Sequence, residues 1–137
     1  MLTVIHTIRI PVEIVLYWLF LNKAIPELMT FEGRNFDILV GITAPIIYFF
    51  VFVKQTWGKS ALIIWNIFSL GLLLNIIING MLSAPTPFQQ FGFEQPNIAV
   101  LHFPFMFLPG CIVPIALFSH LSSIRQLIHK NHSSINR

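Results

Sequence analysis

Apolar residues run in long unbroken stretches along this chain, with short polar segments between them. Four stretches approach the ~20 residues that a membrane-spanning helix needs: Val4–Leu21, Phe36–Val53, Ala61–Leu82 and Ile98–Leu121. The third is the cleanest. The first contains Arg9, Pro11 and Glu13, and the fourth contains Pro104, Pro109 and Pro114. The runs lack the strict alternation of apolar and polar residues that a barrel wall requires. The pattern therefore predicts an all-α fold, a single transmembrane bundle of four helices followed by a basic tail over 122–137. The three prolines predict a kink in the fourth helix, since each removes a backbone donor and crowds the preceding turn. A re-entrant hairpin is the alternative for that segment.

Composition strengthens this reading. Of 137 residues, 55% are hydrophobic and only 9% are charged, against roughly 25% charged in a soluble domain. A chain so poor in charge has lipid as the solvent for most of its exterior, so the lipid bilayer is its first partner and other membrane proteins are candidate partners. The net charge is +3. In this context the excess is topological and implies no nucleic acid, because Lys and Arg collect on cytoplasmic loops. Lys54 and Lys59 fall on one side, with Arg125, Lys130 and Arg137. On the other side Lys23 and Arg34 are offset by Glu27 and Glu32, and the segment 83–97 has neither Lys nor Arg. The expectation is a multi-pass protein of the cell membrane with both termini cytoplasmic. No basic start precedes the first apolar run, so a cleaved leader is not expected. A lone cysteine, Cys111, excludes an intrachain disulfide.

Polar residues within the apolar frame mark where chemistry would sit. The segment Met29-Thr30-Phe31-Glu32-Gly33-Arg34-Asn35-Phe36-Asp37-Ile38 is the densest polar cluster, just before the second helix. Asn35 or Asp37 suits a helix N-cap. Asn75 and Asn79 share one helix face, and His102 lies near the same predicted outer end. Glu32, Arg34, Asp37, Asn79 and His102 thus form a candidate polar site. The plainer reading is a capped helix start with interfacial ion pairs, Asn75 and Asn79 serving as interhelical hydrogen-bonding residues. Arg9 and Glu13, at i and i+4, form a candidate intramembrane ion pair; ionisable residues inside a span are functional candidates by default. His6 and His120 fall near the predicted inner end on different helices. Such a pair can clamp a haem, but any histidine-bearing bundle offers one, and no cofactor is expected. His129 and His132 lie in the tail without further ligands, so no metal site is expected. Phosphate-binding loops and nucleophile elbows are absent from the sequence.

Three motifs, Arg9-Ile10-Pro11-Val12-Glu13, the Met29–Ile38 segment and Leu82-Ser83-Ala84-Pro85-Thr86-Pro87-Phe88, occur in order with Phe103-Pro104 and Leu108-Pro109-Gly110. Together they resemble an uncharacterised family of small integral membrane proteins of bacteria, which implies a location in the bacterial inner membrane. Members of that family usually carry further hydrophobic segments before the first motif. The resemblance implies no activity. Three readings of function are open on these residues: a membrane-complex component or assembly subunit, an enzyme or transporter with an outer-facing polar site at the start of the second helix, and a haem-binding redox subunit.

Overall fold

The computed structural model describes residues 2–135, with side-chain environments up to Ile128. All regular structure among these residues is helical. Three helices are long and apolar enough to cross a membrane: α1 (Leu2–Leu21), α3 (Lys59–Ser83) and α4 (Leu108–Ile128), whose helix continues to Ile135. A shorter apolar helix, α2 (Asp37–Val53), is the fourth. The side chains of His129, Lys130 and His132, and the whole of Arg137, lie outside the described residues.

Prolines shape each irregularity in these helices. Pro11 has no N–H for the carbonyl of Thr7, and α1 tightens into a 3-10 turn over His6–Ile8 just before it. Pro45 lies inside α2, which ends one turn later in a π-turn at Phe49–Val53. Pro109 lies inside the π-turn Leu108–Ile112 that opens α4, and Pro114 follows two residues beyond it. Sequence alone started the fourth helix near Ile98. The structure instead gives a 3-10 turn at Ala99–Leu101, then extended backbone at His102, and the helix begins only at Leu108. Pro104 accounts for the late start, because it drives the residue before it away from helical geometry. The far end differs in the opposite sense. The residues after Leu121 continue the helix to Ile135 without a break, and α4 runs from Leu108 as one helix with no hairpin.

The connection between α1 and α2 determines how deep the polar residues lie. At ~1.5 Å per residue, Leu21 lies about 18 Å along α1 from Arg9. Yet Asp37, the first residue of α2, touches Arg9. The segment 22–36 therefore folds back down alongside α1 rather than lying flat at the end of the bundle. Its Ile25, Met29, Thr30 and Asn35 are buried. Ile25 and Met29 join Leu16, Leu19 and Ala99 in an apolar core, flanked by Val12, Phe20, Phe105 and Leu108. Its backbone bonds to itself: Thr30 N–H to the Glu27 carbonyl at 2.8 Å, and Arg34 N–H to the Leu28 carbonyl at 3.1 Å. Internal pairing of this kind is what non-helical backbone needs at membrane depth. The descent also explains why α2 is short. Asp37–Val53 spans about 25 Å, because it starts well inside the bundle.

Residues 84–107 close the same end. Ile98 and Ala99 both donate to the Ala24 carbonyl at 3.1 Å, and Asn97 N–H donates to the Ser83 carbonyl at 2.8 Å. Gln95 Nε2 reaches the Phe20 carbonyl at 3.0 Å. Two connections that read as separate loops are thus hydrogen-bonded to one another, residues 95–99 meeting the chain at Phe20, Ala24 and Ile25.

Candidate functional site

One helical stripe of α1 carries His6, Arg9 and Glu13, each 3% exposed or less. The spacing i, i+3, i+7 puts all three on one face. That face meets polar residues from every other helix. Arg9 Nη1 donates to Asp37 Oδ1 at 2.8 Å. Arg9 Nη2 lies 3.1 Å from His120 Nε2 on α4. His120 Nδ1 lies 3.0 Å from Asn66 Oδ1 on α3, and Asn66 Nδ2 donates to the Leu62 carbonyl at 2.8 Å. Glu13 Oε1 accepts from Asn35 Nδ2. Asn35 also donates to the Met29 carbonyl at 3.0 Å, while its Oδ1 accepts from the Asp37 N–H at 3.1 Å. Asn35 therefore ties the descending segment to Glu13 and caps the start of α2 in a single side chain.

The protonation pattern follows from these contacts. A guanidinium only donates, so His120 Nε2 accepts. The imidazole proton then sits on Nδ1 and points at Asn66 Oδ1. The Asn66 amide is oriented consistently, because its nitrogen is held by the Leu62 carbonyl. His6 stacks on His120 with ring centroids 3.8 Å apart and an interplanar angle of 13°. Trp65 meets the edge of His6 at 5.7 Å and donates to Thr43 Oγ1 at 3.0 Å.

Beside this cluster lies a cavity of about 390 Å³. Its walls are mostly apolar, from Leu73, Ile76 and Ile77 on α3 and Leu108, Ile112 and Val113 on α4. Its polar lining comes from Arg9, Glu13, Asp37 and Asn97. Three of these residues retain a buried polar atom with no partner among the described residues: Arg9 Nε, Glu13 Oε2 and Asn97 Oδ1. The side-chain amide of Asn97 is fixed by its bond to the Gly80 carbonyl at 3.1 Å.

The structure disperses the residues that sequence grouped as an outer polar site. Asp37 alone of the five lines the cavity. Glu32, Arg34 and His102 are exposed, with the Arg34 guanidinium 5.9 Å from the centre of the Phe91 ring. Asn79 is buried and donates to Asn75 Oδ1 at 3.2 Å, and Asn75 in turn donates to the Arg34 carbonyl at 2.8 Å. Arg9 and Glu13 do share a face, but the guanidinium pairs with Asp37 across two helices, and Glu13 pairs with Asn35. His6 and His120 meet as a stacked pair within the same network. Sequence reasoning missed Asn35 as a Glu13 partner, Asn66 as a His120 partner, and Asn97 altogether. Asn66 had a signal, as an isolated amide in the cleanest apolar run. Asn97 had none, being one polar residue in a polar connection.

No curated protein and no solved structure matches the chain. A family model described as a domain of unknown function, DUF8737, matches residues 1–128. That stretch holds the buried network, the cavity and the apolar segment of every helix, and the chain belongs to that family.

Proposed function

We propose that this chain is a multi-pass membrane protein that binds a small amphiphile in the cavity between α1, α3 and α4, with the polar part of the ligand against Arg9, Glu13 and Asn97. The observation that carries this reading is the set of three orphaned atoms, Arg9 Nε, Glu13 Oε2 and Asn97 Oδ1, on residues that line a single apolar cavity. A buried polar atom left unpaired costs about 1–3 kcal/mol, more when charged. A bundle built only to pack against a partner gains nothing from holding three of them on residues that line an open volume. The volume lies within the usual ~300–1,000 Å³ of small-molecule sites, and apolar walls with a few convergent polar groups are their usual lining. Entry from the bilayer suits such a ligand, because most of the exterior is apolar.

The test is native mass spectrometry of the full chain, extracted gently from its own membrane into nanodiscs. The expected result is a stoichiometric adduct of defined small mass that is lost in Ile112→Trp, which fills the cavity from a half-buried wall position. A protein that carries no adduct and takes up no added lipophile overturns the proposal. A stoichiometric second protein in place of the adduct favours the subunit reading.

A further inference from the structure

The exposure of the cavity wall changes along its length. At the end formed by the polar network, Arg9, Asp37 and Ala116 are all buried. Ile76 and Ile77 on α3 face the cavity with Ile112 and Val113 on α4, and these four are half-buried. Two residues of the lining are exposed: Met81 on α3, at 60%, and Pro109 on α4. At the end toward residues 84–107 the lining is closed again by Ala84 and Asn97, both buried. The gap therefore opens sideways, between α3 and α4, and not toward either end of the bundle.

The helices also fix the height of that opening. The contact of His120 with Asn66 joins α4 to α3 at the level of Arg9. At ~1.5 Å per residue, Pro109 lies about 16 Å along α4 from His120, and Met81 about 22 Å along α3 from Asn66. Leu21, where α1 ends, is at a similar height. With a hydrocarbon core of ~30 Å, the opening falls within the leaflet beside residues 84–107. On the other side of the network α3 and α4 pack closed. Asn66 and Ser69 on α3 and Ser119, His120 and Ser123 on α4 are buried, and none of them lines the cavity.

Resting on the cavity reading above, we infer that the cavity takes its ligand from one leaflet only, the one beside residues 84–107, through the gap between Met81 and Pro109. The Arg9–Asp37–His120–Asn66 network is the closed floor of that site. The protein takes up and returns a lipid-borne molecule on one side of the membrane and does not pass it across. The chemistry of the gap selects such a molecule. Between Lys59 and Arg125 the chain has one Asp, Glu, Lys or Arg, namely Glu94. Exposed side chains near the gap include Ile78, Met106 and Phe107. A charged solute entering there gives up its hydration without a counter-charge at the opening. A hydrocarbon chain passes from apolar lipid to apolar walls at no such cost.

The test uses lysophosphatidylcholine with a diazirine in its chain, whose zwitterionic head keeps it in the leaflet to which it is added. The probe is added separately to right-side-out and inside-out vesicles containing the full-length protein. Maleimide labelling of Glu94→Cys in parallel vesicles, with Cys111 replaced by serine, identifies the face beside residues 84–107. After illumination, adducts are located residue by residue by fragmentation mass spectrometry. Addition to that face is expected to give at least tenfold more adduct on Ile77 and Ile112 than addition to the other. Ser69 and Ser119, across the floor, are expected to carry none from either face. Ile112→Trp should remove the adduct on Ile77 and keep the one on lipid-facing Ile78. The wild-type pattern decides the matter even if that variant fails to fold. Equal labelling of Ile77 and Ile112 from both faces, or any adduct on Ser69 or Ser119, overturns the closed floor and leaves the cavity reading intact. Labelling of Ile77 and Ile112 from the opposite face alone does the same to the choice of leaflet. Adducts on Ile78 with none on Ile77 or Ile112 overturn the sideways opening. The cavity reading falls with it only if the native mass spectrum also carries no adduct.

Discussion

Arg9, in the middle of α1, and Asp37, the first residue of α2, meet at 2.8 Å with both side chains almost fully buried. The contact fixes how far the intervening segment must fold back into the bundle, so it sets the geometry of the whole site. Removing one partner of a buried ion pair leaves the other charge stranded, at about 3–5 kcal/mol. Arg9→Ala is therefore expected to destabilise the protein by that order, and Asp37→Ala likewise. The double variant Arg9→Met/Asp37→Leu should recover much of the loss, because two apolar side chains strand no charge. Thermal unfolding of the three variants in one detergent checks this. A double variant as unstable as the sum of the singles would refute the pairing.

The arrangement at His120 makes a separate claim about a proton. Because Arg9 Nη2 sits at Nε2, the imidazole is expected to carry its hydrogen on Nδ1 and to donate it to Asn66. Nitrogen-15 chemical shifts of labelled histidine report the tautomer directly. Asn66→Leu removes the acceptor and strands the Nδ1–H, costing about 1–3 kcal/mol. In that variant the shift pattern should change at His120 and leave exposed His102 untouched. An Nε2–H signature for His120 in the wild type would contradict the network.

Helix existence was legible in the sequence, since each element stands on a long apolar run. So was the candidacy of Arg9 and Glu13, because ionisable residues inside a span are conspicuous. What the runs could not show is depth. The Met29–Ile38 segment looks like a surface loop by polarity, yet Met29, Thr30, Asn35 and Asp37 are buried. The polar side chains of Thr30, Asn35 and Asp37 find their partners inside the bundle, and one-dimensional hydropathy does not distinguish that from solvation. Partner choice was equally hidden. Arg9 had Glu13 one turn away on its own helix, but the descent of residues 22–36 brings Asp37 within reach. The late start of α4 follows from Pro104, visible in the sequence as a kink but not as a boundary.

Gly33 is the tightest point of that descent. A Cβ there would collide with the Glu27 carbonyl oxygen and stand 2.6 Å from the Leu28 Cα, both backbone atoms that cannot swing away. Gly33→Ala is expected to dislodge the segment, loosening the Asn35–Glu13 contact and lowering thermal stability by several degrees. Gly71 in α3 is the matched control, with open space where its Cβ would go. Gly71→Ala should stabilise by about 0.5–1 kcal/mol through the better helix propensity of alanine. Equal melting temperatures for the two variants would show that the 22–36 segment is not held as described.

The charges at the two ends of the bundle predict its orientation. The ends of α2 and α3 that meet near Gly58 carry Lys54 and Lys59, and the lower part of α4 adds Arg125. The opposite end carries Lys23 and Arg34 against Glu27, Glu32 and Glu94. Short loops rich in Lys and Arg stay in the cytoplasm, so the Lys54–Lys59 end is expected to face inward, with the N-terminus beside it. The exposed Cys111 must first be replaced by serine. On that background Lys59→Cys and Glu94→Cys place a single thiol at each end. A membrane-impermeant maleimide added to intact cells should label Glu94→Cys and leave Lys59→Cys unlabelled until the membrane is opened. The reverse pattern would invert the bundle and place residues 84–107 on the cytoplasmic side. Labelling of both thiols in intact cells would be incompatible with α3 crossing the bilayer in one orientation.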